Sequence, residues 1–212
     1  MNKKKTYYYD KSIEIMDSIK ENSIRPILGI HVCCGVCAAF PLEFLANTFQ
    51  IKILYSNSNI YPKEEYQRRF NELKRYVDIF NSENNQDVEI IEFLYENEKF
   101  NHYLSPFCDE EEGGKRCLIC YEKRMDETYK FANDNNFDYF TTVMTISRQK
   151  NSKVLNEIGE KLSKKYQTKY FYSDFKKNKG IDRGRELRLK YDMYNQEYCG
   201  CIYSYQKYLK KH

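Results

Sequence analysis

The sequence predicts an α/β protein built on a parallel sheet of about five strands with flanking helices. Three observations predict it. Five short apolar runs, rich in β-branched or aromatic residues, recur along the 212 residues. Most segments between them repeat apolar residues every three or four positions. Strand and helix patterns therefore alternate, which implies right-handed crossovers and a parallel sheet.

The first run, ILGIHVC at residues 27–33, reads as a buried strand that ends abruptly in Cys-Cys-Gly. A helix is expected in AAFPLEFLANTF, with Pro41 in its first turn, where the missing N–H costs nothing. IKILYS (51–56) is the second strand, and residues 57–61 turn into a helix opening at Pro62. The apolar stripe of that helix is Tyr66, Phe70, Leu73, Val77 and Phe80. VEIIEFL (88–94), FDYFTTVM (137–144) and KYFYS (169–173) supply the remaining strands, and residues 118–133 and 152–165 supply two more helices. Residues 96–116, with Gly113-Gly114, are the clearest irregular stretch and are expected to form a flap beside the site.

Length and pattern give one α/β catalytic domain over residues 27–212, preceded by a polar, helical extension over residues 1–26. No secretion signal or membrane span is readable, so a cytoplasmic protein with no membrane partner is expected. In a reducing compartment structural disulfides are rare, which turns the eight cysteines toward metal or redox chemistry. The net charge of +4 is weak, but residues 161–190 hold eleven Lys or Arg against three acids, a local +8. The 21 tyrosines carry no functional weight as a raw count.

The cysteines fall in three motifs: Cys33-Cys34-x-x-Cys37, Cys117-x-x-Cys120 and Cys199-x-Cys201, with Cys108 alone. Adjacent or one-apart thiols are poorly placed to pair with each other, yet well placed to ligate a metal. The motifs stand 80 and 79 residues apart, too far for a self-contained zinc ribbon. Seven clustered thiols also exceed the four that saturate a structural zinc or an iron–sulfur cluster. A second metal, or a set of redox-active thiols, is implied. In open α/β sheets ligands gather at the carboxyl ends of the strands, which places the metal site there, with Cys33 and Cys34 ending the first strand and residues 145–148 ending the fourth.

These motifs and their neighbours resemble the QueH family, the cobalamin-independent epoxyqueuosine reductases. The resemblance rests on HVCCGVC (31–37), GKRCLICY (114–121) with Arg124, FTTV (140–143) with Ser147 and Lys150-Asn151, DFKK (174–177) and YNQEYCGC (194–201). It implies reduction of epoxyqueuosine to queuosine at the tRNA wobble position, the last step of queuosine biosynthesis. It also implies a 4Fe-4S cluster, an adjacent mononuclear ion that is expected to be iron, and no cobalamin. Seven motif cysteines, Cys33, Cys34, Cys37, Cys117, Cys120, Cys199 and Cys201, match that inventory, as four and three or as three and four with a non-cysteine ligand. The architecture resembles the Rossmann-like adenine-nucleotide α-hydrolases, in which a serine- and glycine-rich loop cradles pyrophosphate. Thiolates at that loop would repel phosphate, so no ATP chemistry is expected. The family usually reads Ser-Pro-Tyr-Lys-Asn where this chain has SRQKN (147–151), and Cys108 has no counterpart in the pattern.

The reaction needs two electrons from an external donor and a proton for the leaving oxygen. Proton-donor candidates near the cysteine loops are Asp109, Glu112, Tyr121 and Tyr198, and none is singled out. His31, inside the first strand, reads as a core or supporting histidine rather than a ligand. Basic residues in the +8 segment interleave with Tyr166, Tyr170, Phe171, Tyr172 and Phe175, which suit either stacked anticodon bases or a strand core. Lys176, Lys177 and Arg183 are the expected tRNA contacts. Two other classes compete: a non-catalytic zinc-containing RNA-binding protein and a metal-free thiol oxidoreductase. Colour and metal content separate them.

Overall fold

The computed structural model of the chain describes residues 6–211. Five strands form one all-parallel sheet: β1 (Ile27–His31), β2 (Gln50–Tyr55), β3 (Glu89–Glu92), β4 (Tyr139–Thr142) and β5 (Lys169–Tyr170), ordered β3-β2-β1-β4-β5. Each falls on a run identified from the sequence. The central strand explains its own composition: Leu28 and Ile30 are fully buried, as is Ile53, the partner of Ile30 on β2, as a strand covered by helices requires.

Among the described residues eight helices surround the sheet: α1 (Tyr7–Glu21), α2 (Gly35–Leu45), α3 (Lys63–Asn84), α4 (Asn97–Leu104), α5 (Lys115–Asp134), α6 (Ser152–Ser163), α7 (Gly180–Lys190) and α8 (Ile202–Leu209). The stripe expected on α3 is buried throughout, from Tyr66 to Phe80. Helix α1 lies in the expected extension and contributes Met16 and Ile19 to the main core.

Two expectations change, and one open reading is decided. Helix α2 begins at Gly35, so Pro41 lies inside it, where it denies the Cys37 carbonyl a helical donor. The stretch expected to be irregular is helical in its first half, because Phe100 and Leu104, four apart on α4, bury against Cys120. Tyr170, Phe171 and Phe175 are core side chains, which removes them from any stacking surface.

The strand order reverses at β1. From its carboxyl end the chain runs out to β2 and β3 on one side, and later to β4 and β5 on the other. The crevice between the ends of β1 and β4 is where such sheets place their ligand.

Candidate metal centre and active site

The three cysteine motifs sit at three helix beginnings. Cys34 is the N-cap of α2 with Cys37 in its first turn, Cys117 and Cys120 fall at the start of α5, and Cys201 caps α8. The Cys201 sulfur accepts the Ser204 backbone N–H at 3.5 Å, and the Cys117 sulfur accepts that of Gly113 at 3.2 Å. The positive end of a helix dipole favours a thiolate over a thiol.

The first and third motifs border a cavity of about 710 Å³ lined in part by Cys33, Cys37, Cys199, Tyr198 and Lys150, with Tyr121, next to the second motif, also in its wall. The sulfurs of Cys33, Cys34 and Cys37 all lie within 4.8 Å of one another, Cys33 to Cys34 at 3.8 Å. Hydrogen bonds from Cys34 and Cys37 hold the Cys33 thiol well below its usual range. The same bonds push Cys34 up to about 12 and raise Cys37. A cation that binds the trio displaces the protons its thiols still carry.

Cys117, Cys120, Cys199 and Cys201 form a looser second neighbourhood. Burial raises Cys117 and pushes Cys120 to about 12, and both also feel the charges of Cys199 and Cys201. Two cations face the sulfurs. Burial opposes the charge on Lys150 and on Arg124, but Cys199 and Cys33 for Lys150, and Cys120 and Cys33 for Arg124, outweigh it and raise both. The Cys33, Cys34 and Cys37 cluster is a place where a metal can bind: its ligands are soft, close together and electrostatically compensated.

The third motif is pinned from a distance. Arg69, 1% exposed, pairs with Glu65 at 2.7 Å and donates to the carbonyls of Cys199 and Tyr198, both at 3.0 Å. Gly200 between the two cysteines has φ +126°, and a Cβ there would stand 3.0 Å from the Arg69 guanidinium. Only glycine fits that turn without strain.

Among the proton-donor candidates, Tyr121, Tyr198 and Glu112 line the cavity. The Tyr198 hydroxyl donates to the Tyr61 carbonyl at 2.7 Å. Asp109 is exposed and is not part of the lining. His31 is fully buried, with its ring nitrogens 2.9 Å from the Thr142 hydroxyl and 3.3 Å from the Ser56 carbonyl. Burial lowers it to about 3, so it is a neutral core histidine. Cys108 is exposed and stands apart from both groups.

Lys176, Lys177 and Arg183 are engaged by the chain itself. The Lys176 ammonium turns inward to the carbonyls of Thr145 (2.7 Å) and Lys150 (3.1 Å) and to the Ser152 hydroxyl. Lys177 lies 4.0 Å from Asp174, and Arg183 pairs with Glu43 and Glu186. Gln196, to which the sequence attached no role, reaches the Cys34 sulfur with its amide nitrogen at 3.2 Å. The only signal for it was its place in YNQEYCGC.

The profile of the family described as Epoxyqueuosine reductase QueH matches residues 28–207. Proteins so named are similar along most of their length. The one from Streptococcus pyogenes serotype M1 is 39% identical over 96% of this chain and 80% of its own. The one from Staphylococcus aureus strain Mu50 is 39% identical over 92% and 83%. The one from Thermotoga maritima is 28% identical over 86% and 92%. No helix among the described residues is long and apolar enough to cross a membrane.

Proposed function

Because the chain belongs to the epoxyqueuosine reductase QueH family, we propose that it reduces epoxyqueuosine to queuosine in tRNA, in the cytoplasm, at the cavity between the ends of β1 and β4. The observation that carries the reading is the trio of sulfurs within 4.8 Å beside that cavity, with a second group of four thiols adjoining it. The stoichiometry is an epoxide plus two electrons and two protons giving an alkene and water, the electrons coming from an external donor.

In this reading all seven motif cysteines are metal ligands, holding a 4Fe-4S cluster and one further ion, iron, with no cobalamin. When bound, those centres supply the electrons and a Lewis acid for the epoxide oxygen. The protein supplies the rest. Lys150 and Arg124 offset the charge of the thiolates and keep an electropositive wall where the oxygen departs. Burial raises the Tyr121 phenol, so it retains its proton beside Lys150, whose ammonium lies 5.9 Å from the ring centre. Tyr121 is our proton donor. Tyr198 is left as a wall, since its hydroxyl is already donated.

Lys177 and Arg183 are proposed as phosphate contacts of the tRNA, with Lys176 bracing the loop beneath them. Exposed pairs such as Arg183 with Glu43 are worth about 1 kcal/mol or less and exchange readily for phosphate.

The test is anaerobic: iron-loaded protein, a chemical reductant and tRNA carrying epoxyqueuosine, with the product nucleoside read by mass. Formation of queuosine is the expected result. No conversion by fully loaded protein, or a colourless preparation with stoichiometric zinc, overturns it.

A further inference from the structure

Gln196 is held from both sides. Before it, the Tyr194 hydroxyl bonds Glu65 at 2.9 Å and the Tyr194 ring lies under the Arg68 guanidinium at 3.7 Å. After it, Arg69 fixes the carbonyls of Tyr198 and Cys199. With its backbone clamped, the side chain is delivered into the cavity rather than left to wander. Its amide nitrogen lies 3.2 Å from the Cys34 sulfur and 3.8 Å from that of Cys37. Its carbonyl oxygen is buried and has no hydrogen-bond partner among the described residues.

The two ends of this amide make different statements. A thiol that ligates a metal does so as the thiolate, which attracts N–H and repels C=O, so the nitrogen belongs on the sulfurs. That orientation leaves an acceptor without a donor beside a cavity, and buried polar groups in folded proteins are nearly always satisfied. The unmet donor is therefore to be sought in what fills the cavity. Of the cavity's nearby groups, Lys150 and Arg124 are turned electrostatically to the sulfurs, and neither hydrogen-bonds this oxygen.

We infer that Gln196 bridges the thiol trio and the substrate: its amide N–H donates to the sulfurs of Cys34 and Cys37, while its carbonyl oxygen accepts a hydroxyl of the substrate's five-membered ring. The inference rests on the function proposed above. It makes Gln196 a binding and positioning residue that sets where the ring lies relative to the sulfurs and lends those sulfurs a hydrogen bond.

Two substitutions separate the two ends. Gln196→Leu removes donor and acceptor; Gln196→Glu removes the donor and keeps an acceptor. Both are compared with wild type, anaerobically and iron-loaded, for iron content, midpoint potential and affinity for two tRNAs, one carrying epoxyqueuosine and one unmodified at the wobble position. Loss of an N–H bond to a thiolate makes the bound centre harder to reduce, so both variants should shift to more negative potential. Gln196→Leu should bind the modified tRNA about tenfold more weakly and the unmodified tRNA as well as wild type does. Gln196→Glu should retain the preference for the modified tRNA. Equal weakening toward both tRNAs, or an unchanged potential together with unchanged binding, overturns the inference. If Gln196→Leu fails to hold iron, Gln196→Glu decides: loss of the preference there also overturns it. Should wild type itself show no preference and no turnover, it is the function that fails, before Gln196 is reached.

Discussion

Replacing Arg69 with Met removes a guanidinium that touches three parts of the structure: Glu65, the Tyr198 carbonyl and the Cys199 carbonyl. Met keeps much of the volume, so the loss is mainly electrostatic. Glu65, 9% exposed, is left with the Tyr194 hydroxyl as its partner. Breaking a buried pair by removing one member costs about 3–5 kcal/mol. In a chain of 212 residues each kcal/mol lowers Tm by about 2–4 °C, so a drop of about 10 °C is expected. Iron content should fall as well, because the turn carrying Cys199 and Cys201 loses its anchor. Thermal unfolding by circular dichroism under anaerobic conditions, with iron measured on the same sample, reads both. Lys153→Met, at an exposed pair with Glu157, is the control and should cost about 1 kcal/mol or less. Adding Glu65→Gln to Arg69→Met should recover part of the stability, by removing the unpaired charge, without restoring iron. A Tm within about 2 °C of wild type and full iron loading in Arg69→Met would refute the anchoring argument.

Loaded protein should carry about five irons and about four acid-labile sulfides per chain. Replacing Cys34, Cys117 or Cys199 with Ser should lose metal, activity or both, whereas Cys108→Ser should preserve both, as iron analysis and turnover would show. Changing Lys177 and Arg183 to Ala should lower the salt slope of tRNA binding by about 0.7–0.9 per lost contact while iron content holds; an unchanged slope leaves these cations to Asp174, Glu43 and Glu186. Lys176→Met should slow turnover more than it weakens tRNA binding, because it frees the loop that carries Lys150. Burial raises the phenols of Tyr66, Tyr76, Tyr129 and Tyr170 above the usual value near 10. Their folded-state proton affinity exceeds that of the unfolded chain, so this contribution is intact below pH 10 and is lost as pH rises beyond it. The part of tyrosine ionisation that these four phenols contribute, followed by ultraviolet absorbance, should therefore coincide with alkaline unfolding rather than precede it.

The strands and the three cysteine loops were legible because each is written locally, in a run of β-branched residues or a pair of thiols at short spacing. What escaped depends on distance. The bond from Arg69 to Cys199 spans 130 residues, and no pattern near either one announces it. Charge counting located the basic segment together with its own Asp174 and Glu186, but was blind to Glu43, 140 residues from the Arg183 it meets. Helix α4 escaped because Phe100 and Leu104 are a short apolar signal among polar neighbours, and their burial is decided by Cys120 on another helix. The aromatics between Tyr166 and Phe175 were open to two readings: Tyr170, Phe171 and Phe175 belong to the core, while Tyr166 and Tyr172 pack half-buried against it.

The separation of the cysteine motifs along the chain also sets a timetable. During synthesis Cys33 is made 166 residues before Cys199, an interval of roughly 8–30 s at the usual elongation rates. Through that interval the first three sulfurs have left the ribosome's active centre while the turn that Arg69 will clamp does not yet exist. Strand β4, which forms the opposite lip of the crevice, arrives in between. On the proposed set of seven thiol ligands, maturation of the centre is thus a late event in the life of each molecule, completed only when nearly the whole polypeptide is present.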